Sequence, residues 1–114
     1  MKIYLNTDSG WKIFEGTLED ISPELEKRSI KIHPLSKVGE GAEVCARAKV
    51  GEGAKVGEGA EVGEGAEVGA RAEVGARAEV GEWAEVGEGA EVGARAKVGE
   101  RAMVGEGAEV VEGA

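Results

Sequence analysis

The stretch that decides the fold runs from Val50 to Val68 and reads VGEGAKVGEGAEVGEGAEV. A valine returns every six residues from Val38 to Val110, and an alanine stands four places after each valine. A glycine follows nearly every valine, which gives the repeating unit V-G-[EA]-[GR]-A-[EK]. A regular internal repeat of this kind indicates an architecture of stacked, nearly identical units.

The period of six argues against an amphipathic helix. A residue that recurs at every sixth position advances by about 600° around a helix, so the valines would spread over three sides. The recurrent glycines would each cost about 1 kcal/mol in a helix interior. Disorder of the elastin-like kind is a rival, since the sequence is rich in Gly, Val and Ala and has 4% aromatic residues. A β-solenoid is favoured because it buries every valine and aligns every corner.

In such a solenoid, each Ala-Glu-Val segment forms a short strand with the alanine and valine inward and the acidic residue outward. The glycine-rich residues between strands form corners, and three units close a triangular coil of eighteen residues. The six residues from Ile32 to Lys37 are a degenerate first unit, so residues 32–114 give about 4.6 coils. The predicted boundary therefore separates an N-terminal capping segment, residues 1–31, from the solenoid, residues 32–114.

The capping segment has its own pattern. Alternation from Lys2 to Thr7, a turn at Asp8-Ser9-Gly10 and an aromatic and β-branched run from Trp11 to Phe14 predict a β-hairpin. Ser22-Pro23 has the pattern of a helix start and predicts a short helix that ends near Arg28. Together they would cover the first coil, whose backbone groups would otherwise be unpaired.

The repeat is similar to the hexapeptide repeat of the bacterial transferase family, over residues 32–114 and without a slip of frame. The resemblance implies an all-β fold, a left-handed parallel β-helix. The handedness comes from the resemblance alone, since the general crossover rule would predict a right-handed coil. The resemblance also implies trimers packed side by side and, in the enzymes of the family, an acyltransferase site with a histidine base between subunits.

The charge is unevenly distributed. The formal net charge is -9, with six Lys/Arg and six Asp/Glu up to residue 37, then eight Lys/Arg and seventeen Asp/Glu. This balance argues against nucleic acid or an anionic membrane as a partner. Cys45 is the single cysteine, so an intrachain disulfide is excluded. The sequence has no apolar run long enough to predict a signal peptide or a membrane span. The default expectation is therefore a cytoplasmic protein.

The repeat carries little chemistry, since it contains no histidine, serine or aspartate. His33 is the only histidine and a weak catalytic candidate, because a lone histidine beside Pro34 is more often structural. The interior, filled by valine and alanine, has no room for a ligand, so no cofactor or metal is predicted. The sequence therefore predicts a non-catalytic, self-associating structural scaffold. The alternative is a small acyltransferase-like enzyme that uses His33 at a subunit interface.

Outward positions suggest how the chain would self-associate. The third place after the valine accepts large side chains, and the candidates for self-association are Trp83, Arg101, Arg77 and Arg95. A homo-oligomer is expected, with a trimer favoured and end-to-end assembly as the other arrangement. Trp83 is predicted to stack on Arg101 one coil away. The column Glu43-Glu61-Glu79 stacks like charges, so stability is expected to rise as pH falls.

Overall fold

The computed structural model describes residues 2–7 and 10–113. Asp8 and Ser9 of the predicted turn and the final repeat residue, Ala114, lie outside these ranges, whereas Gly10, predicted to belong to the turn, begins the second strand. The N-terminal elements are β1 (Lys2–Thr7), β2 (Gly10–Glu15) and α1 (Leu18–Lys27). The solenoid strands are β3 (Lys31–Ile32), β4 (Lys37–Val38), β5 (Ala42–Val44), β6 (Lys49–Val50), β7 (Lys55–Val56), β8 (Glu61–Val62), β9 (Glu67–Val68), β10 (Glu73–Val74), β11 (Glu79–Val80), β12 (Glu85–Val86), β13 (Glu91–Val92), β14 (Lys97–Val98), β15 (Met103–Val104) and β16 (Glu109–Val110).

The solenoid strands form three flat faces. Face A has the order β14-β11-β8-β5-β1-β2, face B has β15-β12-β9-β6-β3, and face C has β16-β13-β10-β7-β4. Coil 1 consists of β3, β4 and β5, coils 2, 3 and 4 follow with three strands each, and β15 and β16 begin coil 5. The fold is an all-β parallel solenoid of about four turns with one short helix, consistent with a left-handed β-helix. The predicted fold class is confirmed.

The register is the one that a coil of eighteen residues requires. Val56 lies opposite Val74, and Val74 lies opposite Val92, so equivalent residues of successive coils form parallel columns. Backbone hydrogen bonds join successive coils, for example from the Gly57 amide to the Val74 carbonyl at 2.6 Å. Because neighbouring strands lie about 4.8 Å apart, each outward column is a ladder with that spacing.

The interior is aliphatic and dry. The inward-facing valines and alanines of the strand segments from Ala42 to Val98 are all buried, and no polar or charged side chain is buried among the described residues. Burial of an aliphatic side chain contributes about 1.5–3 kcal/mol. The coil-5 residues Val104 and Val110 are only partly buried. The interior therefore offers no room for a ligand, and any site must lie outside it.

The corners explain the two glycine positions of the repeat. A Cβ on Gly57, directly after a valine, would lie 2.5 Å from the Ala76 backbone nitrogen, so glycine is needed there for close approach of the coils. The third place after the valine has positive φ, for example +70° at Gly53. Arginine or tryptophan at that place also has positive φ, at +59° in Arg77 and +61° in Trp83. The large outward side chains are therefore held in a conformation that costs non-glycine residues about 1 kcal/mol.

The N-terminal strands extend face A. β1 pairs antiparallel with β2, which agrees with the predicted hairpin. β1 also pairs parallel with β5, with Ile3 opposite Ala42 and Leu5 opposite Val44. Ile3 and Leu5 are fully buried and continue the inward columns of face A beyond coil 1. The hairpin thus satisfies the outer edge of β5.

Helix α1 starts earlier than predicted. Its N-cap is Thr17, whose hydroxyl accepts from the Asp20 amide while the Asp20 carboxylate accepts from the Thr17 amide at 3.0 Å. These bonds hold the pKa of Asp20 below its ordinary value. Pro23 lies inside the helix and not at its first position, so the predicted start at Ser22 was wrong. Within the described part of the chain, no helix has the length and apolar content that crossing a membrane requires.

Candidate functional site

A large concavity lies where α1 meets face B. This helix cleft has a volume of about 940 Å³. Its apolar floor is Leu25, Ile30, Ile32 and Val50, and its rim is Thr17, Glu19, Ser22, Glu26, Lys31, His33, Pro34 and Gly51. Mostly apolar clefts with a few converging polar groups are where small-molecule ligands bind. The cleft therefore has the composition expected of a ligand site.

His33 stands at the rim of the helix cleft, on the corner between β3 and β4. Its Nδ1 accepts a hydrogen bond from the Leu35 amide at 3.1 Å. A neutral imidazole whose Nδ1 accepts carries its proton on Nε2. That Nε2 lies 3.8 Å from the Glu52 carboxylate, and the His33 side chain is 39% exposed. His33 is therefore held as a hydrogen-bond donor with one nitrogen fixed by the backbone.

The local fold positions this histidine. β3 ends at Ile32, at the repeat position where the other solenoid strands end in valine, and the corner begins at His33. The Ser36 amide and hydroxyl both donate to the His33 carbonyl, at 2.9 and 2.6 Å. The corner that carries His33 is thus closed by three local bonds, including the Leu35 bond to its ring.

A smaller pocket adjoins the helix cleft through Lys31, which lines both. This basic pocket has a volume of about 460 Å³ and is lined by Ser29, Lys31, Arg47, Lys49, Gly65, Glu67 and Trp83. Arg47 pairs with Glu64 at 2.9 Å, and Lys49 lies 3.7 Å from Glu67. The pocket thus concentrates three cations beside an aromatic ring on an otherwise acidic molecule.

Trp83 forms one wall of the basic pocket. A Cβ built on Gly65 would lie 2.3 Å from Trp83 Cε3, so the indole ring covers the glycine of the preceding coil. The ring is therefore directed toward coil 1, and the predicted stack of Trp83 on Arg101 is not what the structure has. The Arg101 guanidinium instead lies 3.9 Å from the Glu100 carboxylate. Trp83 remains 43% exposed.

The four residues predicted for self-association do not lie together. Trp83 and Arg101 lie on the corner between faces A and B, where the Arg101 amide donates to the Glu82 carbonyl. Arg77 and Arg95 lie on the corner between faces C and A, where the Arg95 amide donates to the Ala76 carbonyl. The structure therefore divides these residues into two separate pairs.

The acidic ladder on face A contains a carboxyl whose pKa is strongly raised. Partial burial, a hydrogen bond with Glu43 and the neighbouring Glu79 raise the pKa of Glu61 to about 7. Burial, and then the surrounding carboxylates, raise the pKa of the Cys45 thiol. A raised pKa disfavours the nucleophilic thiolate, so Cys45 is a poor nucleophile. Among the described residues, no three or more His, Cys, Asp or Glu side chains are grouped to hold a metal ion.

Sequence reasoning singled out His33 and Trp83 but missed the groups around them. Lys31, Arg47 and Lys49 are separated along the chain, and only the coil period brings them to one end of face B. The sequence did contain a signal for part of this cluster, because Lys31 and Lys49 are eighteen residues, or one coil, apart. The helix cleft had no such signal, because its outer wall depends on where α1 packs.

No protein-family model matches the sequence, and no curated protein matches it. Among solved structures, the chain is similar to a histidine-to-asparagine mutant of perosamine N-acetyltransferase from Caulobacter crescentus in complex with CoA and GDP-perosamine. The identity is 27% and the TM-score 0.60, over 75% of this chain and 43% of that chain.

The chain is also similar to the acetyltransferase domain of PglB from Neisseria gonorrhoeae in complex with acetyl coenzyme A. Here the identity is 23% and the TM-score 0.53, over 75% of this chain and 49% of that one. The chain thus spans less than half the length of either neighbour. The fold and these neighbours confirm the resemblance to the bacterial transferase hexapeptide-repeat family.

These neighbours overturn two predictions. The sequence predicted a non-catalytic scaffold and leaned against an enzyme, whereas the structural neighbours are acetyltransferases. The predictions rested on the absence of histidine, serine and aspartate from the repeat and on its packed interior. A count of residues inside the repeat cannot reveal a cleft that α1 forms against the outside of coil 1.

Proposed function

We propose that the chain is an acyltransferase unit that transfers an acetyl group from acetyl coenzyme A to an amine or hydroxyl acceptor. The observation that carries the proposal is the 27% identity, over 75% of this chain, to an N-acetyltransferase solved with CoA. A rim histidine beside a mostly apolar cleft supports it.

The two adjoining cavities divide the donor between them. The apolar floor of the helix cleft suits the thioester arm. The cations of the basic pocket suit the negatively charged phosphates. Lys31 lines both cavities and so connects the two parts of the donor site. The exposed Trp83 ring offers a stacking surface for the adenine base. The donor would thus lie along coils 1 to 3 of face B, outside the packed interior.

In the reaction, the acceptor nitrogen or oxygen attacks the thioester carbonyl carbon and the carbon–sulfur bond breaks. The acetyl group passes to the acceptor, and CoA leaves as the thiol with the proton that the acceptor loses. His33 is held as an Nε2–H donor by the Leu35 amide. Its proposed role is therefore to donate a hydrogen bond to the carbonyl oxygen as negative charge develops there.

The acceptor is proposed only as a class. The solved neighbour was crystallised with GDP-perosamine, a nucleotide-linked amino sugar. An amine acceptor of that kind is the first choice for this chain. The homo-oligomer expected from the sequence, with a trimer favoured, stays a prediction.

The test is an acetyl-transfer assay on the purified chain. Acetyl-CoA is supplied with free amino sugars, nucleotide-linked amino sugars and amino acids, and CoA thiol release is followed together with the mass of the product. Removal of an oxyanion donor typically lowers the rate constant about 10²–10³-fold, so His33→Ala is expected to do so. His33→Gln keeps a donor and should retain part of the rate, and Glu109→Gln is the matched control. The absence of CoA release with every acceptor, or an unchanged rate in His33→Ala, would contradict the proposal.

A further inference from the structure

Face C carries a column of charge that changes sign halfway along the solenoid. The outward residues of its strands read Lys37, Lys55, Glu73, Glu91 and Glu109 from coil 1 to coil 5. All five side chains are exposed. Coils 1 and 2 are therefore positive on this face, and coils 3 and 4 are negative.

The corner between faces C and A carries the opposite pattern. Coils 1 and 2 have Glu40 and Glu58 there, with glycine at the position of positive φ. Coils 3 and 4 have alanine in place of the glutamate and place Arg77 and Arg95 at the position of positive φ. Each lysine of face C thus has an acidic corner on its own coil, and Glu73 and Glu91 each have a basic corner, whereas Glu109 on coil 5 is followed by Glu112.

These charges are mostly not satisfied within the chain. Among the described residues, no ion pair involves Lys37, Glu91, Glu40, Glu58, Arg77 or Arg95. Lys55 and Glu73 approach each other at 3.8 Å, with both side chains about half exposed. Apart from Lys55 and Glu73, the charges of this pattern named above therefore form no ion pair within the described single chain.

The two arginines are also held in an unfavourable conformation. Arg77 and Arg95 have φ of +59° and +61°, whereas coils 1 and 2 place glycine at the same corner. A left-handed conformation is sterically unfavourable for a residue that carries a Cβ atom. Within one chain, the described structure gives neither side chain an ion pair that would offset this cost.

We propose that face C binds face C of a second copy of this chain, with the two solenoids antiparallel. The two-fold axis runs along the strands, between coils 2 and 3. It places coil 1 against coil 4 and coil 2 against coil 3 of the other copy. Lys37 then faces Glu91, and Lys55 faces Glu73.

The same axis also matches the flanking corner. Because the axis runs along the strands, the corner between faces C and A meets the same corner of the other copy. Glu40 then lies opposite Arg95, and Glu58 lies opposite Arg77. Every facing pair on the face and on this corner has opposite charges, and each pair occurs twice, as an isologous interface requires.

The register is specific. An axis on coil 3 would set Glu73 against Glu73 and Arg77 against Arg77. A parallel two-fold pair would set each charge against its own copy. Face B has a similar sign change, from Lys31 and Lys49 to Glu67 and Glu85, but α1 packs beside its first coil. Face A pairs Glu61 with Glu79 in the same antiparallel register. Face C is therefore the open face that is complementary throughout.

The interface is small. Four coils at about 4.8 Å make it about 19 Å tall. Contacts of this size belong to weak, reversible association, and electrostatic complementarity there fixes register and partner more than affinity. The pair is thus a concentration-dependent dimer, which differs from the trimer that the resemblance implied. It is independent of the proposed acetyl transfer.

Two charge-reversed variants test the proposal by sedimentation equilibrium at 0.15 M salt. The first carries Arg77→Glu and Arg95→Glu, and the second carries Glu40→Arg and Glu58→Arg. Each replacement shifts the charge by two, so the net charge changes from -9 to -13 and to -5. Each variant alone faces like charges at the corner, and its dissociation constant is expected to rise at least tenfold. An equimolar mixture restores opposite charges and should dimerise like the original chain.

The mixture separates local pairing from net charge, because its total charge equals that of two original chains. The second variant separates local pairing from net charge more clearly. Its net negative charge is smaller than that of the original chain, so two copies repel each other less, and it is still expected to be monomeric. The matched control is Arg47→Glu with Arg101→Glu, the same charge change at positive-φ corners on the far side of the solenoid. It has the same net charge as the first variant and should dimerise much more strongly than that variant, because its changes lie away from face C. A monomeric original chain, a trimer, or a mixture that does not associate would overturn the proposal.

Discussion

Glu61 lies directly opposite Glu43 in the parallel pairing of β8 with β5, and partial burial with a hydrogen bond to Glu43 raises the pKa of Glu61 from 4.5 to about 7. A carboxyl whose pKa is higher in the folded chain than in the unfolded chain stabilises the fold when protonated. That stabilisation is complete below 4.5 and is lost as pH rises through about 7.

The first prediction follows from this ladder. Between about pH 5 and pH 8, the free energy of unfolding should fall as pH rises, because proton binding favours the folded state. Glu61→Gln should remove most of this slope and stabilise the chain at pH 8. Urea unfolding followed by circular dichroism at several pH values measures it, with Glu15→Gln as control. A slope that survives in Glu61→Gln would place the titrating group elsewhere.

The second prediction concerns close approach between coils. Gly57→Ala should destabilise the chain by about 2 kcal/mol or more, because the new methyl would lie 2.5 Å from the Ala76 backbone nitrogen. Gly105 occupies the same repeat position in coil 5, where a Cβ would meet nothing within 4 Å. Gly105→Ala should therefore be neutral or slightly stabilising. Equal costs at the two positions, measured by urea unfolding, would contradict this account of the repeat glycine.

The third prediction compares two valines of the same column. Val74 is 2% exposed, whereas Val110 is only partly buried on coil 5. Val74→Ala should cost about 2 kcal/mol, since it removes buried methyl groups and leaves a cavity. Val110→Ala should cost clearly less. Thermal unfolding of both variants measures the difference, and similar losses would mean that coil 5 is as tightly packed as coil 3.

The fourth prediction separates stability from association. Arg77→Gly should stabilise the monomer by about 1 kcal/mol, because glycine adopts the φ of +59° without steric cost. The same change should weaken the antiparallel pair, since it removes the partner of Glu58. Arg101→Gly, on the far corner, should stabilise the chain without affecting association. Unfolding measurements give the stability of both variants, and sedimentation gives their association. If Arg77→Gly associated as strongly as the original chain, Arg77 would not contribute to the pairing of the two copies.

The solenoid was predictable because one sequence spacing, six residues from valine to valine, determines it. The spacing of the valines sets three strands per coil, so the pairing of Val56 with Val74 and Val74 with Val92 follows from arithmetic on the sequence. The same arithmetic places Lys31 beside Lys49.

The N-terminal segment was less predictable because nothing repeats there. The capping box of Thr17 and Asp20 is a local signal that was available, but the pattern at Ser22-Pro23 obscured it. The helix cleft required the packing of α1 on coil 1, which no periodicity encodes. The direction of the Trp83 ring was also undetermined, since a corner residue can contact either neighbouring coil.

The most direct test of the account follows the Leu35 amide, whose hydrogen bonds to His33 Nδ1, during titration of the ¹⁵N-labelled chain with acetyl-CoA. We expect saturable chemical-shift changes at Leu35, Ile32 and Gly51, on the rim of the helix cleft, and at the indole N–H of Trp83. Resonances of β16 on coil 5 should stay unchanged. The absence of saturable changes, or changes confined to faces A and C, would contradict a donor site formed by the cleft and the basic pocket.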